Sequence, residues 1–312
     1  MKNIKILITG SAGYIGSCLS AYLNNKFMVY NLDKKKTSQK KFFKINLKNK
    51  EKVNLLLKKI KPHLIIHLAG ESLVDPKKKN YLYIENNIKC TNNLLECMRL
   101  NNLNKIIFSS TAAVYKEKNK SISEKSTINP KSNYGKSKIK CEENIIKSKV
   151  NFIIFRFFNV CSCLTNPLIG ENHKPETHLI PLATKKSLLK KTLSINGNNY
   201  KTKDGTCIRD YIHIKDICSF IYKSIKYLLK NDKSFIFNLG SGKSYSILDI
   251  VKEINKFYTL KYKFTKNRKG DPASLTANIK KVSKILKWKP FNSNINRIIK
   301  DQFLFLTSIK KS

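Results

Sequence analysis

Residues 4–33 read IKILITGSAGYIGSCLSAYLNNKFMVYNLD, and this stretch decides the fold. IKILIT is an apolar run of strand length closed by Gly10, and the residues from Gly10 to Asn25 repeat their apolar positions with helical spacing. KFMVYNLD (26–33) is a second strand, ending in Asp33. Glycines at 10, 13 and 16 sit between strand and helix, where they let a pyrophosphate approach backbone N–H groups at the positive end of a helix. Glycines also serve tight turns, so the trio alone is weak. The strand–turn–helix order and the acid ending the next strand make it a dinucleotide loop. Asp33 can accept both hydroxyls of an adenine ribose and repels a 2′-phosphate, which favours NAD over NADP.

Working outward, EKVNLLLKKI predicts a helix stopped by Pro62, followed by the strand HLIIHLAG. A helix is expected over 81–102, then the strand KIIFSST, a helix after Ser132, and the strand NFIIFRFFNV. Strands alternating with helices predict an α/β fold, a Rossmann-type doubly wound parallel sheet whose ligands sit beyond the carboxyl ends of the strands. After about 160 the rhythm changes, with turn formers at Asn166-Pro167, Gly170-Glu171 and NGNNYKTKDGT. The expected division is therefore 1–160 for the NAD-binding domain, with a return of the chain around 205–240. Residues 161–312 form mainly a smaller C-terminal α/β substrate-binding domain.

Of 62 basic residues only Arg99, Arg156, Arg209, Arg268 and Arg297 are arginine, and the formal charge is +42. The lysines are spread over helices and loops, whereas a nucleic-acid binder gathers its charge on one face and uses arginine for bidentate contacts. A solvated lysine coat is the plainer reading, and it would still steer an anionic substrate inward. The runs at 34–36 and 77–79 read as surface loops. Eight cysteines without a C-x-x-C or a secretory leader indicate reduced thiols and a cytoplasmic protein with no membrane segment. A metal site combining Cys161 and Cys163 with His173 or His178 lacks a recognised ligand spacing, and no metal is expected. His63 reads as a strand-flanking residue, and His67 as a core or backbone-bonded one.

SNYGKSK (132–138) places Tyr134 and Lys138 on one helical face behind a helix-starting serine. A free tyrosine, with a pKa of about 10, is a poor base at neutral pH. A nearby ammonium and a positive nicotinamide ring would favour its phenolate. Tyr-x-x-x-Lys is common in a lysine-rich chain; its position gives it meaning. It follows FSSTAAVY, a strand ending in hydroxyls at Ser109, Ser110 and Thr111 that can hydrogen-bond a reacting sugar hydroxyl.

Glycine loop, acid, strand-end hydroxyls and Tyr-x-x-x-Lys in this order resemble the extended short-chain dehydrogenase/reductase family. ITGSAGYIGS, HLAGES, ENNIKCTNNLLE, NYGKSK, RFFN, PETHLIPL, DGTCIRDYIHIKDI, FNLGSGKSYSILDIV and GDPASL narrow the resemblance to its NAD-dependent UDP-glucose 4-epimerase family, nearly end to end. That resemblance implies NAD as cofactor, UDP-glucose and UDP-galactose as substrates, and a homodimer paired through helices at 81–102 and 134–149. It implies Tyr134 as base, Lys138 as the group that lowers its pKa and holds the nicotinamide ribose, and Thr111 as the residue positioning the 4-hydroxyl. Gly10, Gly13, Tyr14, Ile15, Gly16, Asp33, Asn46, Leu47, Ala69 and Asn87 would line the NAD. Asn159, His178, Leu179, Arg209, Arg268 and Asp271 would hold the substrate, and Ser274 or Leu275 would lie near the sugar's 2-substituent.

The chain departs from that family's pattern in several places. Asn46 replaces an aspartate facing the adenine amino group, Lys116 a glycine, and Phe157 a tyrosine, and RFFNVCSC lacks the usual small residues after its asparagine. Competing readings are a nucleotide-sugar 4,6-dehydratase, another NAD-dependent nucleotide-sugar epimerase, and a nucleic-acid-binding protein on an inactive fold. Ala112 and Ala113 stand where related dehydratases carry an Asp-Glu pair.

Overall fold

The computed structural model describes residues 2–72, 79–116, 121–173, 175–268 and 271–309. Most of the lysine run at 77–79 and Gly270 of the GDPASL stretch lie outside them.

The chain divides into two compact units. The first takes residues 1–116, 127–156 and 220–237; the second takes 117–126, 157–219 and 238–312. Chain order in the first unit begins β1 (Lys5–Thr9), α1 (Tyr14–Leu23), β2 (Met28–Asp33), β3 (Phe42–Lys44), α2 (Lys50–Ile60) and β4 (Leu64–His67). It continues through α3 (Asn80–Tyr83), a π-helical run (Ile84–Lys89), α4 (Cys90–Leu100), β5 (Lys105–Thr111), a 3-10 turn (Ala112–Val114), α5 (Asn133–Lys147) and β6 (Asn151–Phe157).

Then come β7 (Asn159–Cys161), β8 (Cys163–Thr165), β9 (Leu168–Gly170), α6 (Leu179–Leu188), β10 (Leu193–Asn196), β11 (Ile208–Arg209) and β12 (Tyr211–His213). The chain runs on through α7 (Ile214–Lys230) and β13 (Phe235–Leu239). It ends with β14 (Tyr245–Ser246), α8 (Ile247–Ile254), β15 (Tyr262–Thr265), β16 (Ser274–Leu275), α9 (Lys280–Leu286) and α10 (Ile295–Ser308).

Among the described residues one sheet has seven strands, in the order β13-β6-β5-β4-β1-β2-β3. The pairs β1–β2, β1–β4, β2–β3 and β4–β5 are parallel. The chain leaves β1 towards β2 and β3, then returns to β4 on the other side, so the switch point lies between the ends of β1 and β4. That is where open α/β sheets bind ligands. Parallel strands are covered on both faces and read as unbroken apolar runs. Ile6, Leu7 and Ile8 are accordingly fully buried, as are Leu64, Ile65 and Ile66 or nearly so. Burying each such side chain contributes about 1.5–3 kcal/mol.

Local chemistry sets the helix ends. Asn49 caps α2 by accepting from Lys52 N at 2.9 Å, and Lys61 ends it in the left-handed region just before Pro62. Ser132 caps α5 by accepting from Gly135 N at 3.1 Å. The single helix expected over 81–102 is interrupted by the π-helical run at 84–89, a backbone change that side-chain periodicity does not report.

The second unit has its own core, in which Ile180, Ala183, Leu193, Ile195, Ile250, Ile254 and Ile298 pack together. Its sheets are small: β14-β11-β16, β10-β15, β12-β7 and β8-β9. Residues 121–126 join it through Ile122 N to Thr276 O at 2.8 Å and Asn238 N to a Glu124 carboxylate oxygen at 2.8 Å.

Candidate active site

The loop after β1 is shaped by close approach. Gly10 has φ +74°, and a Cβ there would stand 2.5 Å from Ala69 N at the end of β4. A Cβ on Gly16 would come within 2.2 Å of Gly10 O, so α1 starts directly against the loop. Gly13 differs. It is exposed, and a Cβ would meet nothing nearer than Gly10 O at 3.4 Å, so protein packing leaves an open cradle there. Ser11 Oγ is buried with no hydrogen-bond partner among the described residues. Asp33 closes the loop from the side, accepting Ala12 N at 3.1 Å and Lys35 N at 2.9 Å. Each carboxylate oxygen has further acceptor capacity. An open glycine cradle, an orphaned hydroxyl and an anchored carboxylate fit a dinucleotide.

The other residues expected at the cofactor are placed less uniformly. Tyr14 and Ile15 open α1 and are half-buried. Asn46 folds onto its own loop, accepting Lys48 N at 3.0 Å, and Leu47 belongs to the apolar core. Asn87 is buried in the π-helical run. Its Oδ1 accepts Glu71 N at 2.6 Å and its Nδ2 donates to Ser137 Oγ at 2.8 Å, so its side chain ties the segment after β4 to α5.

The structure explains why SNYGKSK contains a glycine between its two reactive residues. A Cβ on Gly135 would sit 2.5 Å from Ala113 O, so only glycine lets the first turn of α5 rest on the 3-10 turn after β5. This contact brings Tyr134 to Thr111, whose hydroxyl is close enough to act on the phenol. Burial is the largest influence on Tyr134 and pushes its pKa up to about 12; the neighbouring Thr111 hydroxyl opposes that rise.

Lys138 is buried, and its Nζ donates to Ser109 O at 2.8 Å and stands 4.8 Å from the centre of the Phe108 ring. Desolvation lowers the pKa of Lys138. Ser109 Oγ donates to His67 O at 3.3 Å and Ser110 Oγ donates to Glu142, which leaves Thr111 as the strand-end hydroxyl beside Tyr134.

In the second unit Arg209, Arg268 and Asp271 come together. Arg209 Nη1 donates to Ile208 O at 2.9 Å and Pro272 O at 2.7 Å, its Nη2 lies 3.8 Å from Asp271, and Asp271 N donates to Arg268 O at 3.2 Å. Asn159 Nδ2 is used structurally, donating to Asp210 O at 2.9 Å. His178 precedes α6 with its Nδ1 against Glu171, and Leu179 is the first residue of that helix. Ser274 and Leu275 form β16 beside β11.

The match of residues 6–240 to the NAD dependent epimerase/dehydratase family covers well over half the chain. This chain belongs to that family. Among its epimerase/dehydratase relatives, the UDP-glucose 4-epimerase of Lactobacillus helveticus is 34% identical, over 95% of each chain. The UDP-glucose 4-epimerase of Brucella ovis, solved in complex with NAD, superposes with a TM-score of 0.91 at 28% identity, covering 96% of this chain and 98% of that one. The enzyme of Bifidobacterium longum, solved with NAD+ and UDP, gives 0.90 at 27% identity over 97% and 98%.

Three supporting groups escaped the sequence reading. Arg156 on β6 and Glu142 on α5 form a buried pair at 2.6 Å, with Arg156 also donating to Tyr115 Oη at 2.8 Å. Asp210 is buried beneath four donors: Ser241 N and Oγ, both at 2.7 Å, Gly242 N at 3.0 Å and Ala277 N at 3.1 Å. Tyr200 is half-buried beside Cys207, with Arg209 and Asp271 close enough to perturb it. A charge inside the apolar strand NFIIFRFFNV was the signal for the first group; the other two leave no local trace.

Proposed function

We propose that this chain interconverts UDP-glucose and UDP-galactose at C4 of the hexose, with NAD held in the first unit as a prosthetic group. The observation that carries the reading is the meeting of Tyr134 with Thr111 at the end of β5, in a unit that also presents the Gly10–Gly16 cradle and Asp33. Bound NAD supplies the hydride acceptor and, at the same carbon, the hydride donor. Tyr134 takes the proton of the 4-hydroxyl as the C4 hydride departs, leaving a 4-keto sugar. Thr111 orients that hydroxyl, and Lys138, fixed on Ser109 O, supplies a buried positive charge. After the sugar turns over, Tyr134 returns the proton as hydride reaches the opposite face.

The Gly10–Gly16 loop, Tyr14, Ile15, Ala69 and Asp33 hold the dinucleotide, with Asn46, Leu47 and Asn87 shaping its surroundings. Arg209, Arg268, Asp271 and Asn159, with His178 and Leu179, hold the UDP portion. The protein acts in the cytoplasm, in keeping with eight free, buried cysteines; among the described residues no helix is long and apolar enough to cross a membrane. It works as a homodimer through α3 to α4 and α5, where Tyr81, Ile84, Leu100 and Ile146 are exposed apolar side chains.

Ala112 and Ala113 favour epimerisation over 4,6-dehydration. Loss of water across C5 and C6 needs one group to take the C5 proton and another to protonate the leaving hydroxyl. Alanine does neither. The deciding experiment is NMR of purified protein with UDP-galactose deuterated at C4, run in D₂O. The expected product is UDP-glucose that keeps its C4 label and gains no deuterium at C5. A 4-keto-6-deoxy product, or solvent deuterium at C5, would sink the assignment.

A further inference from the structure

The loop between β9 and α6 brings four side chains together that the proposed reaction does not require as a set. Glu171, His173, Glu176 and His178 each offer one ligating atom, and these atoms all lie within 4.8 Å of one another. The spacing Glu-x-His-x-x-Glu-x-His keeps the set on one short segment. We propose that these four residues form a binding site for a divalent transition-metal ion of the Zn²⁺ type, which pins the loop to the start of α6.

The centre of the set is Glu171, whose side chain is 0% exposed. His173 Nδ1 lies 3.1 Å from its Oε1, and His178 Nδ1 contacts the same oxygen. The two imidazole rings stand at 86° with centroids 5.5 Å apart, so they reach one point from different directions. The other oxygen, Oε2, is buried and has no hydrogen-bond partner among the described residues. A buried carboxylate oxygen without a partner is costly, and ligation of an ion by Glu171 through that oxygen would remove the cost.

Glu176 shows a division of labour. Its Oε1 accepts Thr177 N at 2.8 Å and His178 N at 2.9 Å, and its Oε2 accepts His173 N at 3.3 Å while lying 3.8 Å from His173 Nδ1, so it both fixes the backbone and faces the ring. The histidines are 45% and 57% exposed, which gives an ion a path from solvent.

The donor set selects the class of ion. Two imidazoles with two carboxylates suit Zn²⁺ and its neighbours, whereas Mg²⁺ and Ca²⁺ take oxygen ligands. Bonds of about 2.0–2.1 Å put tetrahedral donors about 3.4 Å apart, so the exposed His178 ring must draw back from Glu171 while the wider-spaced donors close in. Cys161 and Cys163 are not part of this set. Those thiols turn elsewhere, to Ile212 O and Asp301 O. The true partners are the glutamates.

The test uses the full chain without an affinity tag, stripped with a chelator and titrated with ZnCl₂ by calorimetry, with metal counted after dialysis. One Zn²⁺ per chain is expected. His173→Ala and Glu171→Gln should each weaken binding by more than about 100-fold, since loss of even an outer partner of a metal ligand costs about 10–100-fold. His173 is half-exposed, so its alanine variant keeps the test valid if the Glu171 variant does not fold. Co²⁺ in place of Zn²⁺ should give d–d absorption without a thiolate charge-transfer band. Absence of stoichiometric Zn²⁺ binding, unchanged affinity in His173→Ala, or a thiolate band would overturn the proposal. Zinc binding is read without substrate, so the result stands apart from the assigned activity.

Discussion

At the scale of single residues, Tyr134 shows what local sequence reveals and what it conceals. Its pairing with Lys138, and the hydroxyls on the preceding strand, were legible because a helix face and a strand end are set by spacing alone. Its environment was not. Burial raises its pKa to about 12 and Lys138 is committed to Ser109 O, facts that depend on how α5 meets β5. Replacing Tyr134 with Phe should keep NAD and UDP-sugar bound while lowering turnover by about 10²–10⁴-fold, the usual worth of a positioned base. Near-normal turnover would remove Tyr134 from the chemistry.

His67 gives a second prediction at the same scale. It is fully buried between Thr9 Oγ1 at 2.7 Å and Thr91 Oγ1 at 3.0 Å; burial first, and Lys138 second, lower its pKa to about 3. Between the unfolded value near 6.5 and the folded value, the unfolded chain binds a proton that the folded chain does not. Stability from this group is therefore complete above pH about 6.5 and falls as pH drops towards about 3, by at most about 1.4 kcal/mol per pH unit. Denaturant unfolding of His67→Gln between pH about 6 and 4.5 should show a shallower pH slope than the parent. Equal slopes would mean His67 is not neutral in the fold.

At the scale of elements, the strands and helices of the first unit follow their apolar periods, but the contacts that align them do not. Glu142 lies on the lysine-rich helix α5. In the fold it receives Arg156 Nε at 3.0 Å and Nη2 at 2.6 Å, together with the Ser110 hydroxyl, and so joins β5, α5 and β6 one residue from Thr111. The π-helical run at 84–89 is another case: its backbone change leaves no mark on side-chain spacing, yet it carries the buried Asn87 to Ser137 on α5. Breaking the buried pair by Glu142→Ala leaves Arg156 charged and uncompensated, which should cost about 3–5 kcal/mol. Glu142→Met with Arg156→Met should recover much of that in thermal unfolding. A single substitution as mild as a surface mutation would contradict this account.

At the scale of the whole molecule, the two units interleave along the chain. The first unit takes in 220–237, within the stretch 205–240 where a return of the chain was expected, whereas the passage of 121–126 into the second unit has no signature in composition, because it is decided by contacts between distant segments. The charge, in contrast, is fully legible: +42, carried mostly by dispersed lysine. Its consequence is kinetic. A nucleotide-sugar pyrophosphate is an anion, and a strongly positive protein raises the rate at which it arrives, an effect that salt screens. The Debye length shrinks from about 30 Å at 0.01 M to about 3 Å at 1 M. The kcat/KM for UDP-galactose should therefore fall as KCl is raised over this range, while kcat at saturating substrate changes much less. The same coat predicts DNA binding that is weak, blind to sequence and abolished by moderate salt. If kcat/KM were flat across the series, the lysines would have no part in capture, and their number would be a matter of composition alone. Salt-resistant binding to one DNA sequence would instead move the charge to the centre of the protein's function.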